Sequence, residues 1–179
     1  NKKYSQRDLG DESEYDSYIV LNFNQDCNYS SGFQNDYRFS VSFIINKENN
    51  DKLAGEDNLI IHKGIEIEIH FNTPVKRLDW FFSSYFDINM EFLVSIDFTN
   101  FDSSFVTKMK DLFYGCTSLN SIVFSNFNTS LTDDLSYMFY KCNSLSSIDL
   151  SSFNSSLIND MSNLFYGCNS LQSIDLSNF

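Results

Sequence analysis

The sequence predicts an α/β fold, a right-handed leucine-rich-repeat solenoid with parallel strands that follows a small β-rich N-terminal module. Two features of residues 95–179 carry this prediction: a 26-residue repeat, and a change of apolar spacing within each copy. A third is the alternation of apolar and polar residues before the repeats. A fixed period of this length is typical of stacked repeats, in which each copy buries its apolar face against its neighbours.

The repeats are recognisable by a short aromatic word followed by Ser-Leu-x-Ser-Ile. The words are Phe113-Tyr114-Gly115-Cys116, Phe139-Tyr140-Lys141-Cys142 and Phe165-Tyr166-Gly167-Cys168. After each word, apolar residues follow the frame L-x-x-L-x-L-x-x-F, as at Leu145, Ile148, Leu150 and Phe153. This frame predicts one short strand per repeat, with alternate side chains pointing inward, and it predicts columns of stacked Phe rings.

Apolar residues at i, i+3, i+6 and i+7 predict a short helix in each repeat. They are Val106, Met109, Leu112 and Phe113 in the first copy, Thr132, Leu135, Met138 and Phe139 in the second, and Ile158, Met161, Leu164 and Phe165 in the third. Gly115 and Gly167 stand where a left-handed residue would end such a helix. Lys141 stands there in the middle copy, at a cost of roughly 1 kcal/mol if the backbone is kept.

The chain is predicted to divide at about residue 75. Residues 1–74 form a polar arm (1–16) and a β-rich module, with a predicted hairpin joining 59–61 to 65–71. Residues 75–179 form the repeat array, which begins with a degenerate copy that shares one continuous core with the module. The chain begins without a recognisable signal peptide and ends before its next predicted helix. We therefore expect both ends to be cut.

Composition excludes several classes of function. The formal net charge is −12, with no Lys/Arg stripe, which argues against a nucleic-acid partner. No apolar run is long enough to span a membrane. Motifs typical of nucleotide binding, zinc proteases or serine hydrolases are missing, so no enzyme activity and no cofactor is predicted.

The predicted binding surface is the outward face of the strands, a strip of carboxylates and hydroxyls. Its residues are Asp97, Ser121, Val123, Ser147, Asp149, Ser173 and Asp175. An ordinary solvated β face would have the same pattern. A catalytic carboxylate pair is not indicated, because no partner base accompanies these residues.

Cys116, Cys142 and Cys168 share one repeat position, and Cys27 stands apart. One thiol per repeat predicts a buried column of small apolar side chains, because a line of thiols neither surrounds a metal ion nor pairs completely. No metal site is predicted.

Glu66, Glu68 and His70 alternate along one strand and are predicted to form its solvent-facing side. Glycosylation sequons occur at Asn28, Asn128 and Asn154.

The words Phe-Tyr-Gly-Cys-x-Ser-Leu-x-Ser-Ile-Asp-Leu-Ser and Met-Ser-x-Leu-Phe resemble those of the BspA-like leucine-rich-repeat surface proteins, over about residues 95–179. The resemblance implies a cell-surface or extracellular role in recognition and adhesion, with a protein or glycan partner. The alternative is a structural building block of an envelope, filament or multiprotein assembly. Self-stacking or a subunit contact would then use the C-terminal coil, where Ile174, Leu176 and Phe179 lack a cover.

Overall fold

The computed structural model describes residues 17–29, 41–46, 51–53, 59–61, 63–71, 73–85, 88–176 and 179. Its elements are β1 (Ser17–Phe23), β2 (Cys27–Tyr29), β3 (Val41–Asn46), β4 (Asp51–Leu53), β5 (Leu59–Ile61), β6 (Ile67–Phe71), a 3-10 helix (Ile88–Phe92), β7 (Leu93–Asp97) and β8 (Ser121–Val123). The predicted polar arm at 1–16 lies outside the described residues.

The main sheet is mixed and has the order β4-β3-β6-β1-β7-β8. Its pairs are antiparallel except β7 and β8, which are parallel and place Ile96 opposite Ile122. β1 lies between β6 and β7 and therefore joins the N-terminal module to the first repeats. The predicted strand within β1 is confirmed. The predicted hairpin is wrong, because β5 pairs with β2 and β6 pairs with β1 and β3.

The 26-residue repeats stack in register, each repeat forming one coil. Parallel backbone bridges join Arg77 to Lys108, Lys108 to Asp134, and Asp134 to Asp160. The last two steps span 26 residues. The first step spans 31 residues, five more than the regular period. The predicted division of the chain at about residue 75 stays a prediction.

The predicted fold class, an α/β leucine-rich-repeat solenoid with parallel strands, is wrong. The described residues include no α-helix, and the segments predicted to be helical are runs of tight turns. Only two of the predicted repeat strands form, β7 and β8; the segments around Ile148 and Ile174 lie outside any strand. The architecture is a mixed sheet that continues into stacked coils of turns.

The helix fails because one residue per coil has a left-handed backbone. Trp80, Asp111, Tyr137 and Asn163 occupy equivalent positions and have φ values of 63°, 55°, 58° and 55°. One such residue ends a right-handed helix, and among non-glycine residues Asn and Asp enter this region at the lowest cost. Apolar residues three apart are therefore spaced by turns here, as with the bond from Leu112 N to Met109 O (3.3 Å).

Alternate backbone N–H groups in these turns donate to the next coil instead of to their own. Met109 N donates to Asp134 O at 3.1 Å, and Phe113 N donates to Met138 O at 2.9 Å. The same ladder continues one coil further, where Phe139 N donates to Leu164 O at 3.0 Å. A helix would use these donors internally, so the ladder and the helix exclude each other.

The ladder holds like side chains over like side chains, as predicted for the Phe columns. Phe113 stacks on Phe82 and Phe139 with ring centroids 5.7 and 5.6 Å apart, and Phe139 stacks on Phe165 at 5.3 Å. A second column runs from Phe101 through Phe127 and Phe153 to Phe179. One continuous apolar core joins the N-terminal module to the coils, which confirms the predicted shared core.

We expect Phe139→Ala to lower the free energy of unfolding by about 3–5 kcal/mol, because the ring is fully buried and stacked on both sides. Urea unfolding followed by circular dichroism measures this loss. Leu157→Ala is the control: Leu157 is 53% exposed, and its loss should change stability by no more than about 0.5 kcal/mol. Equal effects of the two substitutions would contradict the stacked core.

Asp111 is a buried carboxylate within the left-handed column. It is 2% exposed, and no described residue donates a hydrogen bond to its Oδ2. Burial raises the pKa of this carboxyl to about 6; the nearby Lys110 opposes the shift, and Asp134 and Asp79 add to it. Because the charged form is disfavoured in the folded chain, ionised Asp111 destabilises the fold above pH 6, and this cost disappears as the pH falls toward 4.

We expect Asp111→Asn to stabilise the fold at pH 7.5 by on the order of 1 kcal/mol, because the substitution removes the buried charge. The equivalent residue two coils on is already Asn163, with φ 55°, so Asn suits this backbone. Thermal unfolding of both proteins at pH 7.5 and pH 4 gives the difference, which should shrink at pH 4. Asn163→Asp is the control, because Asn163 is exposed and a carboxylate there stays hydrated. A difference that is the same at both pH values would refute the assignment.

Candidate functional site

The predicted strand-face residues are accessible, but only two of them form a paired row. Asp97 and Val123 are partners in the parallel β7–β8 pair. Asp149 and Asp175 are exposed and lie outside any strand, as do Ser147 and Ser173. Ser121 is exposed at the start of β8. The coils therefore place these side chains on one side of the array without a continuous sheet beneath them.

The carboxylates of this face have a local structural role. Asp97 Oδ1 accepts a hydrogen bond from Thr99 N at 2.7 Å, and Asp149 Oδ1 accepts one from Ser151 N at 2.8 Å. Hydrogen bonds from Ser151 hold the pKa of Asp149 below its usual value. Such bonds stabilise the turn that follows each residue. Part of the acidic pattern is thus explained by turn formation alone.

A second surface, which the sequence analysis did not identify, is a strip of outward-facing aromatic rings. This aromatic strip consists of Trp80, Tyr85, Tyr114, Tyr137, Tyr140 and Tyr166. Tyr114 stacks on Tyr140 with centroids 4.7 Å apart and planes 9° apart, and Tyr140 stacks on Tyr166 at 5.0 Å and 10°. Tyr85 and Tyr166 are 72% and 58% exposed.

Two lysines lie against this strip. Lys110 Nζ is 5.8 Å from the centroid of the Tyr137 ring, and Lys141 Nζ is 5.4 Å from that of Tyr140. Both distances are within the range of cation–π attraction. The stacked rings turn their edges outward, so the strip presents ring edges, phenol groups and ammonium groups.

The repeated Phe-Tyr word contains the signal that would have located the strip. Within each Phe-Tyr pair the Phe is the more buried residue and the following Tyr the more exposed one, so the two side chains lie on different sides of the coil. The 26-residue period then aligns the tyrosines.

A shallow depression of about 430 Å³ lies at the strip between two successive coils. Its lining residues are Lys141, Asn143, Tyr166, Gly167 and Asn169. Lys141 has a left-handed backbone, with φ 59°, where Gly115 and Gly167 in the neighbouring coils have φ 76° and 80°. The predicted left-handed positions at the two glycines and at Lys141 are therefore confirmed, although they follow turns and not helices.

The three repeat cysteines are free and form a column, as predicted. Cys116 and Cys142 are fully buried, and Cys168 is half-buried. Their Sγ atoms donate to the carbonyl oxygens of Phe82, Phe113 and Phe139 at 2.9, 3.3 and 3.0 Å. Burial raises the pKa of all three thiols, that of Cys168 to about 11. The side chain of Cys27 lies outside the described residues.

We expect the native chain to react with iodoacetamide at Cys168 before Cys116 and Cys142. The two buried thiols react only when a coil opens, and a raised pKa leaves little thiolate at pH 8. Peptide mass spectrometry at timed quenches measures the three rates, and urea-unfolded protein is the control, in which the rates should converge. Labelling of Cys116 as fast as Cys168 in the folded chain would contradict the buried column.

The prediction that Glu66, Glu68 and His70 all face solvent is wrong for two of them. Glu66 is exposed, whereas Glu68 and His70 are buried in the central strand β6. Glu68 Oε2 lies 3.0 Å from His70 Nε2, and the His70 ring stacks on Tyr18 at 4.8 Å. The alternation of polar and apolar residues does not reveal the burial of Glu68 and His70, because β6 is covered on both faces. Among the described residues no group of three potential metal ligands converges, here or elsewhere.

Asn128 and Asn154 occupy equivalent exposed positions, and glycosylation would need such exposure. Asn128 Oδ1 accepts a hydrogen bond from Ser130 N, and Asn154 Oδ1 accepts one from Ser156 N, both at 2.9 Å. These amides therefore begin turns in the same way as the aspartates. The side chain of Asn28 lies outside the described residues. Glycosylation at all three positions stays a prediction.

The fold and its surface define a class: a protein of stacked turn-rich coils, fused to a small sheet and carrying an aromatic strip. The chain belongs to the family described as "Mycoplasma protein of unknown function, DUF285", which matches residues 76–179, more than half of the chain. Searches of curated proteins and of solved structures found no significant match. Within the described residues no helix has the length and apolarity needed to cross a bilayer.

Proposed function

We propose that this chain is a non-enzymatic recognition and adhesion module at the cell surface or outside the cell, with a protein or glycan as its partner. The single observation that carries this proposal is the aromatic strip. The resemblance of the repeats to BspA-like surface proteins, which remains an expectation, is consistent with the same role.

The chemistry of the strip favours binding. Tyr and Trp provide much contact area and few rotatable bonds, and they dominate the energetics of many interfaces. Stacking between Tyr114, Tyr140 and Tyr166 holds the rings before a ligand arrives, which lowers the entropy lost on binding. Phenol and ammonium groups donate hydrogen bonds to an acceptor-rich partner.

The strand face is the second candidate surface, but it supports the proposal less. Asp97 and Asp149 already accept hydrogen bonds from their own turns, and isolated exposed carboxylates contribute little binding energy. We therefore place recognition on the aromatic strip and use the strand face as the comparison.

The alternative function, a structural building block, is favoured by a different observation. Phe105, Leu131 and Leu157 occupy equivalent positions in successive coils and are 45%, 48% and 53% exposed. Exposed apolar residues that repeat along an array are suited to lateral contact with a partner subunit. This apolar ridge is separate from the residues of the aromatic strip.

We expect Tyr85→Ala/Tyr166→Ala to weaken binding to an extracellular ligand by about tenfold or more, because these are the most exposed rings of the strip. The measurement is biolayer interferometry of the whole chain against a panel of purified extracellular proteins and glycans. The control is Asp97→Asn/Asp149→Asn/Asp175→Asn on the strand face, which should bind as the parent does. Loss of binding only in the strand-face variant would refute our placement.

Sedimentation of the same chain tests the building-block alternative. A concentration-dependent oligomer that is dispersed by Leu131→Ser/Leu157→Ser, together with no binding in the panel, would overturn the recognition proposal. A monomer that binds through the strip supports it.

A further inference from the structure

The depression beside Lys141 is lined by three kinds of group. Lys141 supplies an ammonium donor, Asn143 and Asn169 supply amides, and Tyr166 supplies an exposed ring. The previous coil has Gly115 and Thr117 in place of Lys141 and Asn143, so the combination is particular to this place in the array.

The orientation of Asn143 makes the site both a donor and an acceptor. Its Nδ2, oriented by its neighbours, lies 2.7 Å from Gly167 O and 3.2 Å from Lys141 O. The nitrogen thus links the two coils, and Oδ1, which has two lone pairs, is the acceptor of this side chain. The donor is the Lys141 ammonium, on a flexible stem above the Tyr140 ring.

Lys141 occupies a position at which the backbone favours glycine. Its φ of 59° is costly for a side chain with a Cβ, and both neighbouring coils have glycine there. Because the side chain also lines the depression, Lys141 is a candidate for a role other than stability.

We propose that this depression binds an N-acetylated sugar of a linear glycan, an inference that rests on the recognition role proposed above. The acetamido carbonyl accepts from the Lys141 ammonium, the acetamido N–H donates to Asn143 Oδ1, and the methyl group contacts Tyr166. A neutral sugar is favoured over an acidic one because the chain carries 24 acidic and 12 basic residues.

The aromatic strip determines how the rest of the glycan lies. Tyr114, Tyr140 and Tyr166 repeat at 4.7 and 5.0 Å and expose edges and hydroxyl groups along the array. Hydroxyls of neighbouring sugars can donate to and accept from these phenols. A linear chain that runs along the coils therefore meets successive tyrosines while one acetamido group occupies the depression.

The test uses the whole chain and two neutral tetrasaccharides of the same linkage, one of N-acetylglucosamine and one of glucose. We expect isothermal titration calorimetry to detect binding of the N-acetylglucosamine tetrasaccharide, and the glucose tetrasaccharide to bind at least about tenfold more weakly. The glucose probe has a hydroxyl group in place of each acetamido group and is otherwise the same. Equal binding of the two probes would overturn the acetamido assignment, and no binding of either would overturn the proposal.

Lys141→Gly is the decisive variant because it separates binding from folding. Glycine occupies this position in both neighbouring coils, so the midpoint of thermal unfolding should stay unchanged or rise. Binding of the N-acetylglucosamine tetrasaccharide should fall at least about tenfold. Lys63→Ala, which removes an exposed ammonium group of the N-terminal module, and Asp149→Asn on the strand face serve as controls and should bind as the parent does. Undiminished binding by Lys141→Gly would place any sugar elsewhere and overturn the site.

The failure of this inference can be distinguished from the failure of the proposed function. If other ligands of the extracellular panel bind through Tyr85 and Tyr166 while both tetrasaccharides do not, recognition stands and the acetamido subsite falls. If nothing in the panel binds and the chain forms oligomers through the apolar ridge, both fall.

Discussion

The structure depends on backbone hydrogen bonds that run from one coil to the next. In the turn segments alternate N–H groups donate across the coils, as from Asp111 to Ser136 and from Tyr137 to Ser162, both at 2.9 Å. Each such bond fixes equivalent residues of two repeats over each other. Because the donors are used between coils, no coil can satisfy its backbone alone, and stability comes from neighbours.

The same ladder explains the arrangement of the side chains. Equivalent residues form columns, so a buried Phe column, a buried thiol column and an outward Tyr column follow from one repeated word. The columns also make it easy to recognise residues that differ from their equivalents in the other coils. Asp111 is a carboxylate buried in the left-handed column, and Lys141 stands in a glycine column. Exceptions to a repeat are informative because the neighbouring coils show what the backbone alone prefers.

The core and the surface of the coils differ in how much variation between repeats they tolerate. The core requires every coil to be alike, since a missing Phe leaves a void between two neighbours. Outside the buried Phe columns differences are tolerated: Asp111, Tyr137 and Asn163 differ in all three coils, and Lys141 stands between Gly115 and Gly167. Recognition by a repeat protein is therefore expected where one coil departs from the others. This is why the proposed sugar site lies at Lys141, where the middle coil departs from the glycine of its two neighbours.

Some of the candidate site could be read from the sequence, and some could not. The period located the thiol column and the stacked Phe rings, and it placed the strand-face residues on the exposed side of the array. The period alone does not reveal the aromatic strip, because it does not tell to which side of the coil the residue beside each buried Phe points. It also misassigned Glu68 and His70, since alternation in β6 does not tell whether its second face is covered.

The sequence by itself determined the period, the register of the copies and the residues that repeat, because these follow from the identity and order of the residues alone. Only the tertiary structure decided whether residues three apart belong to a helix or to turns. Both satisfy the apolar spacing, and the choice depends on where the N–H groups find acceptors. Here the acceptors lie one coil away, so a left-handed residue in each coil replaces the helix by turns. The pairing of β6 with β1 and β3 was likewise decided by long-range contacts that no local pattern encodes.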